Sequence, residues 1–226
     1  MIHAGIIAAV EIDALKNKYG EPDETVEKHF QKILCYEKET FHLYVISSGV
    51  GEIAAAAATQ LLISEFDVEM ILNFGVVGGL TEDISKSRLC IVDSVVHYDF
   101  DTSEIDDCEP ARYIQYPSIY IPSDRDLLKK AMEIEPTLKP VICASADKFV
   151  GDPERKKALH EKYNAEICEM EAAAIIMTCD RNHVPCLLIK MVVDGLFGGA
   201  DEYSNAFMKY STAAMDVLDK IIQNMH

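Results

Sequence analysis

The sequence predicts an α/β fold: a mixed, buried sheet with helices packed against it. Short apolar segments rich in Val, Ile and Leu recur along the chain, and stretches of helical length and composition alternate with them. Several of the apolar segments end directly on a glycine or an acid, as strands do when they deliver residues to a crevice. With 226 residues, 49% of them hydrophobic, the chain can bury a substantial core. No Pro/Gly/Ser-rich linker and no internal repeat divides it, so a single domain over residues 1–226 is expected.

Taken in order, residues 3–10 read as a buried strand that ends at Glu11 and Asp13. Residues 31–36 and 41–47 read as two strands joined by the polar turn Glu37-Lys38-Glu39-Thr40. Gly49-Val50-Gly51 opens an Ala-rich helix over 53–66. Residues 70–74 form a short strand that stops at Gly75, and 89–98 form another. Residues 99–118 are polar, contain Pro110 and Pro117 and show no period, so they read as a loop, a lid or an oligomer contact. Helices are expected over 124–134 with Ser123 as cap, over 154–163 after Pro153, over about 169–182, and over 203–225. Strands at 140–145 and 186–193 complete the alternation.

The formal net charge of −17 argues against a nucleic-acid partner, whose phosphates call for a basic surface. No uninterrupted apolar run approaches the roughly 18 residues of a membrane span, and no signal-like segment opens the chain, so a cytoplasmic location is expected. The seven cysteines include no CxxC pair; Cys90, Cys143 and Cys186 fall in predicted strands, Cys168 and Cys179 in a predicted helix, and reduced core thiols are expected. The histidines form no metal-ligand pattern, and neither a metal nor a cofactor is expected.

Three segments carry candidate chemistry. Gly75-Val76-Val77-Gly78-Gly79-Leu80 reads as a glycine turn that lets backbone approach a ligand, with a plain tight turn as the alternative. Its spacing is neither a dinucleotide fingerprint nor a phosphate loop. Cys168-Glu169-Met170-Glu171 leads into Ala172-Ala173-Ala174, so its acids are either a solvated first helical turn or ligands for a vicinal diol. Asp194 directly follows an apolar strand, where sheets present residues to a crevice.

Together these segments resemble the methylthioadenosine/S-adenosylhomocysteine nucleosidases, within the superfamily of purine nucleoside phosphorylases and nucleosidases. The resemblance spans nearly the whole chain and implies a partly barrel-like central sheet flanked by helices. It implies cleavage of the N-glycosidic bond of a purine nucleoside with release of adenine. Asp194 in Val192-Val193-Asp194-Gly195 would protonate the base at N7. Glu171 would hold the ribose hydroxyls, with Met170 against the sugar and Glu169 as a secondary member. Phe149 and Val150 would contact the base, and Gly75, Val76 and Gly78 would lie under the nucleoside. The family commonly has Ser where this chain has Val76 and Val193.

The nucleophile is open between water and phosphate. For water, the family's base maps by counting onto Asp13, one methylene shorter than the usual Glu, with Glu11 as the nearby alternative; both also read as acids at the start of a helix. For phosphate as co-substrate, Arg88 resembles the Arg of some purine phosphorylases. The chain lacks their N-terminal Gly-Asp-Pro-Arg run, which favours hydrolysis. A nucleoside-binding protein of weak activity is a further alternative. The family also implies a homodimer or larger homo-oligomer.

Overall fold

The computed structural model describes residues 1–225; His226 lies outside them. The first half runs β1 (Ile2–Ala8), α1 (Ile12–Tyr19), β2 (Glu24–Lys28), β3 (Gln31–Glu37), β4 (Phe41–Ser47), α2 (Glu52–Phe66), β5 (Met70–Gly79), α3 (Glu82–Ser87) and β6 (Leu89–His97). The second half runs β7 (Ile121–Pro122), α4 (Arg125–Ile134), β8 (Lys139–Ser145), α5 (Pro153–Tyr163), β9 (Ile167–Glu169), α6 (Ala172–Asn182), β10 (Cys186–Asp194) and α7 (Ala200–Asn224).

The strands join into one mixed sheet, part of which closes on itself. β10 pairs with β6 and β5, β6 with β8, β8 with β9, and β9 with β5, which makes a five-stranded ring. From β5 the sheet continues outward through β1, β4, β3 and β2. Side chains alternate across it as strand geometry demands. On β5, Ile71 and Val77 enter one core cluster with α2 and α6, whereas Met70, Leu72 and Phe74 enter the other with α1, α4 and α7. The Ala-rich composition of α2 suits this arrangement, because Ala55 and Ala58 share a core with Ala172 and Ala173 of α6.

Several expectations change. The strand beginning at Met70 does not stop at Gly75 but runs through Gly79, and Gly75, Gly78 and Gly79 are not among the positive-φ glycines. The expected glycine turn is therefore extended strand. The glycines are needed there for close approach: an added Cβ would stand 2.9 Å from Glu11 Oε1 at Gly75, 3.0 Å from Cys168 Sγ at Gly78, and 2.8 Å from Ser85 Oγ at Gly79. Cys168 lies in β9, not in a helix, because α6 begins at Ala172. Asp124, not Ser123, caps α4 by accepting from Leu127 N at 2.8 Å; Ser123 Oγ instead donates to Val92 O. Residues 99–118 form turns held by the stacked rings of Phe100 and Tyr113, 3.7 Å between centroids. Among the described residues, no helix is long and apolar enough to cross a membrane.

Candidate active site

β5 lies between β1 and β10 and runs parallel to both, so the C-terminal ends of the three strands open on one side. A cavity lies there with about 540 Å³ of atom-free space, part of it open to solvent. Glu11 follows β1, Val76 to Gly78 come from β5, and Asp194 ends β10. Phe149, Val150, Glu169, Met170 and Glu171 line it from the second half of the chain, and Tyr203 from α7.

Glu11 is buried, yet its carboxylate is held by backbone donors: Val10 N to Oε2 at 2.9 Å and Val76 N to Oε1 at 3.1 Å. A bulkier residue at position 75 would displace it. Asp13, the residue reached by counting, is exposed in the first turn of α1 and does not line the cavity. The cavity acid after β1 is Glu11, a full-length glutamate, so no shortened side chain has to be accommodated.

Glu171 occupies the N-cap position of α6 but caps nothing with its side chain. Other groups satisfy the first turn in its place. Glu169 accepts from Ala172 N at 2.9 Å, Ser145 Oγ from Ala173 N at 3.2 Å, and Glu52 Oε2 from Ala174 N at 2.5 Å. That frees the Glu171 carboxylate to face the cavity, anchored by one donor, Gly51 N to Oε1 at 2.8 Å. Gly51 sits at φ 103, where a side chain would be strained and would strike Asp147 Oδ1. Burial raises the Glu171 pKa and the charge of Glu169 raises it further. Glu169 itself pairs with buried Lys190 at 3.2 Å. Burial opposes the charge on Lys190, but Glu169 and Glu171 outweigh it and hold the ammonium protonated. Glu169 thus serves the helix terminus and the ion pair while forming part of the wall.

Asp194 reaches the cavity through a β-bulge: Val192 pairs with Val77 and Asp194 with Gly78, and the extra residue Val193 is fully buried. Position 193 therefore belongs to the core and not to the cavity wall. Burial raises the Asp194 pKa to about 6, with Lys156 pulling the other way through a hydrogen bond and its charge. Lys156 Nζ lies 2.5 Å from Asp194 Oδ2, and both side chains are buried.

Arg88 does not line the cavity. Its guanidinium donates to Val192 O at 2.9 Å, Val193 O at 3.2 Å and Glu202 Oε1 at 2.9 Å, and lies over the Tyr210 ring. It fastens the end of β10 to α7, and its donors are committed there. Phe149 is half exposed with its ring edge-to-face against Tyr203, 5.8 Å between centroids, while Val150 is buried beneath. Sequence reasoning missed Tyr203, Lys156, Lys190 and Glu52. Tyr98 and Tyr120 do not line the cavity.

Closed sheet and acid-lined cavity together define an α/β protein in which several carboxylates face one cavity. The sequence profile of the phosphorylase superfamily matches residues 4–225, and the chain belongs to that family. A 5′-methylthioadenosine/S-adenosylhomocysteine nucleosidase of Staphylococcus aureus strain JH9 is 28% identical over 231 residues, covering 98% of this chain and 99% of the relative. The fold is shared with a futalosine hydrolase mutant of Helicobacter pylori strain 26695, at TM-score 0.92, 23% identity and 99% of both chains. It is also shared with the 5′-methylthioadenosine/S-adenosylhomocysteine nucleosidase of Helicobacter pylori bound to butyl-thio-DADMe-Immucillin-A, at TM-score 0.92, 23% identity, and 99% and 98% coverage.

Proposed function

We propose that this protein hydrolyses the N-glycosidic bond of a purine nucleoside, with 5′-methylthioadenosine or S-adenosylhomocysteine as the favoured substrates and adenine as a product. The observation that carries this reading is the placement of Glu11 and Asp194 in one cavity. They meet β5 at Gly75 and Gly78, three residues apart, or roughly 10 Å along a strand. In this scheme Asp194 gives its proton to N7 of the base, and the C1′–N9 bonding electrons pass into the purine. Water adds to the oxocarbenium-like C1′ as Glu11 takes its proton. Glu171, an acceptor when ionised, takes hydrogen bonds from the ribose hydroxyls, with Met170 against the sugar and Phe149 stacked on the base.

Water is favoured over phosphate because a dianion needs cationic donors. Among the described residues lining the cavity the cation is Lys148, whose Nζ is bonded to Asp99 Oδ1 at 2.5 Å. The name of the Staphylococcus aureus relative supports the choice of substrates. The reaction so drawn uses no metal or cofactor. A cytoplasmic homo-oligomer belongs to the same reading; exposed Ile53, Ile105 and Ile114 support association, which light scattering on the purified protein would measure.

The direct test is product analysis with methylthioadenosine, S-adenosylhomocysteine, adenosine and inosine, with and without millimolar phosphate. Free base and free sugar in both buffers are expected. A sugar 1-phosphate formed only with phosphate would make the protein a phosphorylase, and no cleavage of any nucleoside would reduce it to a binding protein.

A further inference from the structure

Lys156 is a costly residue to place where it is. It sits in the first turn of α5, where the helix dipole disfavours a cation, and its side chain has no solvent exposure. The helix does not need it: Asp152 Oδ1 caps α5 by accepting from Arg155 N at 2.9 Å, and Pro153 opens the first turn. All of its polar contacts go instead to the end of β10 and the loop after it. Nζ donates to Asp194 Oδ2 at 2.5 Å and Gly195 O at 2.8 Å, with Asp194 O and Gly198 O each at 3.4 Å. Lys156 does not itself line the cavity. The ammonium stands behind the acid, with its donors committed on that side.

We propose that Lys156 is a positioning residue for glycosidic cleavage: it grips Asp194 by Oδ2, leaves Oδ1 to face the purine, and sets the pH at which Asp194 loses its proton. The proposal rests on the reading of Asp194 as the acid that protonates the base. The groups around that carboxyl are Lys156 from α5, Cys168 from β9, Glu202 and Tyr203 from α7, and Arg88, which reaches Val193 O and Glu202. Arg88 covers one oxygen of Glu202, and Gly195 N donates to the other at 3.0 Å. Lys156 is therefore the direct ionic partner of Asp194, and it opposes the upward push of burial that otherwise governs the acid. The sign follows. Cleavage needs protonated Asp194, so kcat declines as pH rises through the Asp194 pKa. Removing Lys156 leaves burial and Glu202 unopposed, the proton is held to higher pH, and the descending limb moves up.

Lys156→Met removes charge and donors, whereas Lys156→Gln keeps a donor without charge. Both variants are expected to move the descending limb of kcat upward by one pH unit or more. The Met variant should also lose roughly tenfold or more on the acid plateau, as oriented proton transfer is lost. The Gln variant should lose less. A uniform fall in kcat with an unmoved limb would overturn the proposal and leave Lys156 a purely structural residue. Folding is bypassed by a carboxyl-carbon NMR titration of the wild type, assigned by the signal missing from Asp194→Asn. Its midpoint should coincide with the descending limb of wild-type kcat/KM, which reports the free enzyme, and a midpoint elsewhere counts against the proposal. If the wild-type protein cleaves no purine nucleoside, the functional reading fails by itself. Comparing carboxyl titrations of wild type and Lys156→Gln then still decides whether Lys156 governs the Asp194 proton.

Discussion

At the scale of single residues, a carboxylate acts as a base only if one oxygen can reach a water and the group is held still. Glu11 is fixed in the cavity by Val10 N and Val76 N, whereas Asp13 is exposed and reaches only water outside the cavity. Glu11→Gln is therefore expected to lower kcat by about 10²-fold or more, in line with loss of a positioned base. Asp13→Asn should change it less than about twofold, as surface substitutions do. Steady-state kinetics of the two variants decides the matter, and the opposite order would return the base to Asp13. Glu11 is the N-cap of α1 and Asp13 lies in its first turn, and of the two only Glu11 has the phase that faces the cavity. Counting from a strand does not reveal that phase. Asp194 and Glu171 were legible because each stands at a boundary, one ending an apolar run and the other opening an Ala-rich one. Lys156 was not, since a partner 38 residues from Asp194 leaves no local pattern.

At the scale of elements, the alternation of apolar strands and helices could be read directly, and most of the longer elements fall where composition puts them. The pieces that were missed, β2, α3, β7 and β9, are short or polar, and their conformation comes from pairing and packing and not from their own sequence. The glycines of β5 were seen but placed in a turn instead of a strand, because close approach and a tight turn select the same residue. The two causes separate by mutation. In Gly75→Ala the new methyl meets the Glu11 carboxylate at the end of a side chain that can shift, so the cost should fall on the base: kcat down by about tenfold or more, through misplacement of a positioned group, with little change in Tm. In Gly79→Ala the methyl meets Val192 Cγ1 at 2.9 Å inside the core as well as Ser85 Oγ. Overpacking of this kind costs about 1–3 kcal/mol, and so lowers Tm by several degrees in a domain of this size. Thermal melts beside kinetics read both effects. Equal melting temperatures for the two variants would mean that the β5 glycines answer to some other constraint.

At the scale of the whole molecule, the decisive quantity is the formal charge of −17. The exposed ion pairs, such as Lys18 with Asp216, Lys28 with Glu65 and Lys157 with Glu154, contribute little each in water. The surplus of acids repels itself in the folded state, where the charges are brought close, more than in the expanded chain. Salt screens such exposed charges with a Debye length of about 10 Å at 0.1 M. Tm at pH 7.5 is therefore expected to rise by a few degrees between about 0.01 and 0.3 M NaCl, and the rise should shrink at pH 5.5 as the net charge falls. The buried pairs Lys156–Asp194 and Lys190–Glu169 are screened far less, so the site should keep its geometry, and KM for an uncharged nucleoside should stay nearly constant over the same range. Scanning calorimetry and initial rates across the salt series test both halves. A Tm that falls with salt at pH 7.5 would show that attractive surface pairs outweigh the repulsion. A KM that climbs steeply would show that long-range charge, and not the local donors and acceptors of the cavity, captures the substrate.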